Sequence, residues 1–226
     1  MHALPVIREV RLDPVRTGRL YGEPSCHIIV RLIAADGTIG WGEMSDLSHL
    51  PAIMPDVADL ERCLRELLSG RNPANVNAIE DLLLLNFPGG RFHGKACLVR
   101  AGVSIAIHDL KARLLGLSLS DLLGGQRRDN VPICYPVFRL SSRAHMGNRV
   151  QLVEHQIAAG FTAFRFYFGK DTDADIEFLE TVCGQFGDRI QFTSLDGSGL
   201  FSLPGFLRAG DSIGPGVGRG RGHGEA

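Results

Sequence analysis

Apolar and polar residues alternate over Val6 to Leu12, and a denser apolar run follows from Cys26 to Ile33. Both patterns predict strands, because successive side chains of an extended chain point to opposite faces. Asp36-Gly37 is a tight-turn dipeptide, so the second strand is expected to fold back into a third, Thr38 to Glu43. Between the first two strands, Pro14 to Ser25 is rich in Gly, Arg and Pro and predicts an exposed loop.

The spacing then becomes helical. Val57, Leu60, Leu64 and Leu68 predict a helix over 55–68, stopped by Gly70. A second helix is expected over 76–85, with Asn75 as its N-cap. Lys95 to Leu115 reads as a long third helix, with Ala101, Ile105, Ala106 and Leu110 on its buried side. Its small residues, Ala96, Ala101, Gly102, Ser104 and Ala106, permit close packing. A short helix over 119–123 is closed by Gly124-Gly125.

After Asn130 strands and helices alternate: strand 131–138, helix 144–159, strand 161–168, helix 174–186, strand 189–195. Short connections in this order imply parallel pairing. Pro136 weakens the first of these strands, since proline has no amide to donate. Residues 205–226 differ in kind, with eight glycines in 22 residues and no apolar period after Leu207. Such a segment buries too little surface to offset its ordering entropy and is expected to be disordered. It reads as a frameshifted or degenerate end, or else as an ordinary flexible tail. An RNA-contacting Arg-Gly role fits poorly, because the segment is short and has no aromatic beyond Phe206.

Composition narrows the function. Apolar residues make up 44% of 226 positions and the net charge is −1, which suits a buried core and disfavours polyanion binding. Neither nucleic acid nor membrane is an expected partner: no apolar run approaches the roughly 18 residues of a span. The N-terminus lacks a signal pattern. Five scattered cysteines without a Cys-x-x-Cys pair read as free thiols of a reducing, cytoplasmic compartment.

Four segments in order carry a family resemblance: Ala35-Asp-Gly-Thr-Ile-Gly-Trp-Gly-Glu43, Ala101 through Gly125, Ala159-Gly-Phe-Thr-Ala-Phe-Arg-Phe-Tyr-Phe-Gly169, and Ile190 to Ser198. Together they resemble the mandelate racemase and muconate-lactonizing branch of the enolase superfamily, from about residue 5 to about 204. The resemblance implies an α+β capping domain over 1–125, followed by a TIM-like (β/α)₇β barrel whose first units occupy 126–204 and which stops early. Residues 205–226 lie outside the family pattern.

The same resemblance implies a Mg²⁺ site at the strand C-termini and removal of a proton next to a carboxylate. Asp196 matches the family's first metal ligand, although Asp-Gly-Ser-Gly alone reads as a turn. Ser198 departs from the family's usual Asp-x-Asn. The other two carboxylates belong to strands the chain is expected to lack, so metal binding should be weak or absent. Where relatives carry Lys-x-Lys, this chain has Arg165-Phe166-Tyr167. Alternation puts Arg165 and Tyr167 on one face, toward the barrel interior, with Phe166 on the other. A buried Arg165 seeks a carboxylate, either that of a substrate or one within the protein. Tyr167 is the candidate base, or else a core side chain.

Arg-x-Tyr looks like a minority type among acid-sugar dehydratases, including galactarate-type enzymes. Loops Arg16 to Pro24 and Asp46 to Leu50 would close over the substrate. They offer Arg16, Arg19, Tyr21, Asp46 and His49, and Arg91 and His93 lie nearby in the family pattern. For each of these, a solvated loop position is the plainer alternative. The expected partner is a small anionic carboxylate, and self-association is compatible with the pattern. Three readings stay open. They are an acid-sugar dehydratase lineage with this chain inactive, a racemase or cycloisomerase of the same family, and a non-catalytic remnant or interaction module.

Overall fold

The structure is a computed structural model that describes residues 4–18, 24–45, 56–89, 95–169 and 171–197. It divides into two compact units, Met1–Arg127 and Arg128–Ala226. No helix among the described residues is long and apolar enough to cross a membrane.

In the first unit, β1 (Ile7–Thr17), β2 (Ser25–Ala34) and β3 (Ile39–Met44) form an antiparallel sheet in that order. The Asp36-Gly37 turn forms as its sequence predicts. Gly37 takes a φ of 90°, Ala34 N–H donates to Thr38 O at 2.8 Å, and the Asp36 carboxylate accepts from Thr38 N–H at 2.9 Å. Four helices follow: α1 (Val57–Leu68), α2 (Val76–Asn86), α3 (Lys95–Leu114) and α4 (Leu119–Leu122). Alternate residues of the sheet, among them Val10, Leu12, Ile28, Val30 and Leu32, pack with Leu64 and Leu68 of α1 and with Val103, Ile107 and Leu110 of α3 into one core. Asp56 caps α1, accepting from Ala58 N–H at 2.9 Å and Asp59 N–H at 3.2 Å.

Three details of this unit depart from expectation. The loop foreseen from Pro14 begins later, because β1 runs on through Pro14 and Arg16 to Thr17, opposite Ser25. Among the described strands β1 is at an edge, beside β2 alone, and an edge position tolerates a residue that cannot donate. Asn75 precedes α2 without a side-chain cap; instead Asn72 accepts from Ala74 N–H at 2.8 Å. Ala101 and Ile105, expected inside, are exposed, while Gly102, Val103, Ala106 and Ile107 are buried. The cause of that rotation lies in β3. Gly40 and Gly42 have no side chains, so the Gly102–Ala106–Leu110 row of α3 rests directly on their backbone. Ala101 and Ile105 each sit about 100° away from that row.

In the second unit, β4 (Tyr135–Val137), β5 (Ala163–Tyr167) and β6 (Phe192–Asp196) are parallel in that order. They are linked by α5 (Met146–Ala158) and α6 (Thr172–Phe186). Phe164 and Phe166 of β5 are buried against Val153 of α5 and Phe178, Leu179 and Val182 of α6. The strand expected over 131–138 is only three residues long. Its register pairs Tyr135 with Phe164, which would set Val131 opposite Gly160, the left-handed residue (φ 98°) that ends α5. No extended partner exists there, and Val131 and Ile133 stay exposed.

Candidate functional site

β5 and β6 pair so that Arg165 lies beside Ser194 and Tyr167 beside Asp196. Partners in a parallel ladder present their side chains to the same face. Arg165, Tyr167, Ser194 and Asp196 therefore share one face, and Phe164 and Phe166 fill the opposite, helix-covered face. The shared face expected for Arg165 and Tyr167 is the one observed.

Arg165 Nη2 donates to Asp196 Oδ2 across the strands. Its guanidinium also lies over the Tyr167 ring, 4.9 Å from the centroid. The hydrogen bond that Arg165 donates to Asp196 raises the Arg165 pKa above its ordinary value; desolvation opposes this in part, and nearby negative charge adds a smaller rise. The guanidinium is thus a fixed positive charge. Phe138, just past β4, stacks on Tyr167 with centroids 5.2 Å apart and planes at 18°. Cys134, on the approach to β4, has its thiol pKa pushed up by burial, against a smaller opposing effect of the Arg165 charge. Arg139 holds its Nε buried without a hydrogen-bond partner.

One expectation is corrected. Arg165 was expected to be buried, yet its side chain is 48% exposed, because no further described strand closes over this face. Its carboxylate partner is Asp196, so the internal pairing held open as an alternative is the one seen. At this exposure the pair orients its members more than it stabilises the fold.

Arg16 lies in β1 opposite Cys26 with an exposed side chain, so it belongs to a strand rather than to the loop in which it was expected. Tyr21, Asp46, His49 and His93, with Arg19 and Arg91, lie outside the described residues. Phe138 was missed as a neighbour of Tyr167. Its position was visible in the sequence, but the β4–β5 register that brings the two rings together was not.

Asp196 supplies one carboxylate toward the magnesium site that the sequence resemblance implies. Mg²⁺ demands near-octahedral oxygen coordination. Among the described residues no three His, Cys, Asp or Glu side chains converge as a metal would require, and Asp196 is engaged by a cation of the protein itself. These residues do not by themselves fit a magnesium site.

Known proteins share this architecture. The profile of the mandelate racemase / muconate lactonizing enzyme N-terminal domain matches residues 3–124. A D-galactonate dehydratase of Verminephrobacter eiseniae (strain EF01-2) is 27% identical over 194 residues, covering 81% of this chain and 48% of the relative. Chloromuconate cycloisomerase CbnB of Cupriavidus necator is 27% identical over 169 residues, covering 72% and 43% respectively. The muconate lactonizing enzyme of Pseudomonas putida superposes with a TM-score of 0.77 at 20% identity, over 94% of this chain and 58% of that one. The chain spans about half the length of the curated relatives it matches. With an α+β capping domain followed by the opening strand–helix units of a barrel, the chain belongs to the mandelate racemase / muconate lactonizing enzyme family.

Proposed function

We propose that the chain carries the capping domain and the opening barrel units of an acid-sugar dehydratase lineage. Its substrate class is a small polyhydroxy carboxylate of the aldarate or aldonate type. Arg165 orients the substrate carboxylate, and Tyr167 takes the α-proton. The β-hydroxyl then leaves with its bonding pair, and the enol product becomes a 2-keto acid. Asp196 is proposed as one carboxylate toward magnesium, an ion that the described residues alone do not hold. Arg16, Tyr21, Asp46, His49 and His93 are proposed to contact the substrate from the capping domain.

The observation that carries this reading is the shared face of Arg165, Tyr167 and Asp196. The Arg–Tyr contact supports a joint role for the two side chains at one substrate, since it holds the guanidinium against the Tyr167 ring. The dehydratase relative supports the reaction class. The cycloisomerase relative, at the same identity, supports a second reading in which the same face serves lactone ring closure or opening. A non-catalytic remnant is the third, favoured by there being one carboxylate on this face among the described residues.

The purified chain is expected to form little or no keto acid when incubated with Mg²⁺ and a panel of aldaric and aldonic acids. Among the described residues one carboxylate faces this site, and it is held by Arg165, which leaves the developing negative charge without adequate stabilisation. Keto-acid formation that disappears in Tyr167→Phe would overturn the inactivity and support the proton-abstracting role. Conversion of muconates but not acid sugars would favour the cycloisomerase reading.

A further inference from the structure

The misfit with magnesium has a specific cause on this face. Asp196 Oδ2 accepts from Arg165 Nη2, and a guanidinium carries its charge throughout the working pH range. The register makes the reach diagonal: Arg165 pairs with Ser194, yet its side chain extends two positions on to Asp196, toward the C-terminal end of the sheet. The Tyr167 ring supports the guanidinium along the way. A divalent cation would need the same carboxylate oxygens and would meet a positive charge within hydrogen-bonding distance of them.

We infer that Arg165 and a divalent cation compete for the Asp196 carboxylate, with Arg165 acting as a built-in counter-ion that a metal must displace. The inference rests on the proposed reading of Asp196 as a metal carboxylate. It has a thermodynamic corollary. A ligand carboxylate that draws Arg165 to itself frees Asp196, so anion and cation occupancy promote one another by linkage.

The test uses Mn²⁺ alone as probe, following paramagnetic broadening of the backbone amides of residues 194–197. Arg165→Gln is expected to lower the Mn²⁺ concentration for half-broadening by about fivefold or more. Arg165→Met is a second neutral variant, and the amide spectrum of each reports whether it is folded. Adding Asp196→Asn to either background should abolish the broadening. A measurement on the unmodified chain stands beside these: Mg²⁺ should shift the Arg165 Nε–H resonance as the guanidinium is displaced. If Asp196→Asn abolishes broadening while both neutral variants leave the midpoint unchanged, the competition is refuted and Asp196 remains a metal carboxylate. If broadening is indifferent to Asp196→Asn, the reading of Asp196 fails, and the inference with it.

Discussion

Replacing Gly42 by alanine is expected to destabilise the first unit by about 3 kcal/mol or more, at the severe end of single substitutions. A Cβ there would lie 2.0 Å from Gly102 O, 2.8 Å from Ala106 N and 3.0 Å from Ala106 Cβ. The first two are backbone atoms of a helix, which cannot turn aside as a side-chain tip can. Relief requires α3 to lift from β3, breaking contacts across the core that Val103, Ile107 and Leu110 help to form. The chain's one tryptophan, Trp41, is the adjacent residue on β3, and its amide donates to the Asp109 carboxylate of α3 at 2.9 Å. Its fluorescence during urea unfolding therefore reports on this junction. Gly184→Ala is the control: it lies in α6, where an added Cβ meets nothing within 4 Å, and should be near neutral. An unshifted midpoint for Gly42→Ala would show that α3 does not sit on β3 as described.

Phe166→Ala is expected to cost the second unit about 3–5 kcal/mol, as large-to-small changes of core aromatics do. Phe166 is 2% exposed, stacks near Phe164 with centroids 6.0 Å apart, and meets Phe178 edge-on at 5.8 Å. Its loss leaves a cavity between β5 and α6, in a unit whose described sheet has only three strands. Domains are stable by only about 5–15 kcal/mol, so this is a large fraction of the total. Amide hydrogen exchange separates the units. Protection over 163–167 and 192–196 should collapse, while protection in β1 to β3 is retained. Unchanged protection of β5 would place Phe166 outside the core.

Particular residues show why some features were legible in the sequence and others were not. Asp36-Gly37, the Leu60–Leu64–Leu68 stripe and the alternation of Phe164-Arg165-Phe166-Tyr167 encode local geometry, and local geometry follows residue by residue from the pattern. The extent of β1 depended on its place at an edge among the described strands, which tolerates Pro14. The rotation of α3 was set by glycines some 60 residues earlier in the chain, and periodicity within α3 could not reveal it. The shortness of β4 followed from where α5 ends, and the Phe138–Tyr167 stack from the β4–β5 register. At the candidate site, strand parity gave the face shared by Arg165 and Tyr167. The bond from Arg165 to Asp196 required knowing which residues of β5 and β6 lie side by side.

The most direct test of the account is the proton–proton contacts of the Tyr167 ring, read from nuclear Overhauser spectra of the labelled chain. The ring should show contacts to the Arg165 side chain and to the Phe138 ring, and none to Phe178 or Val182 of α6. Ring contacts to those α6 residues, with the Arg165 and Phe138 contacts missing, would turn Tyr167 onto the helix-covered face and remove the basis for the proposed site.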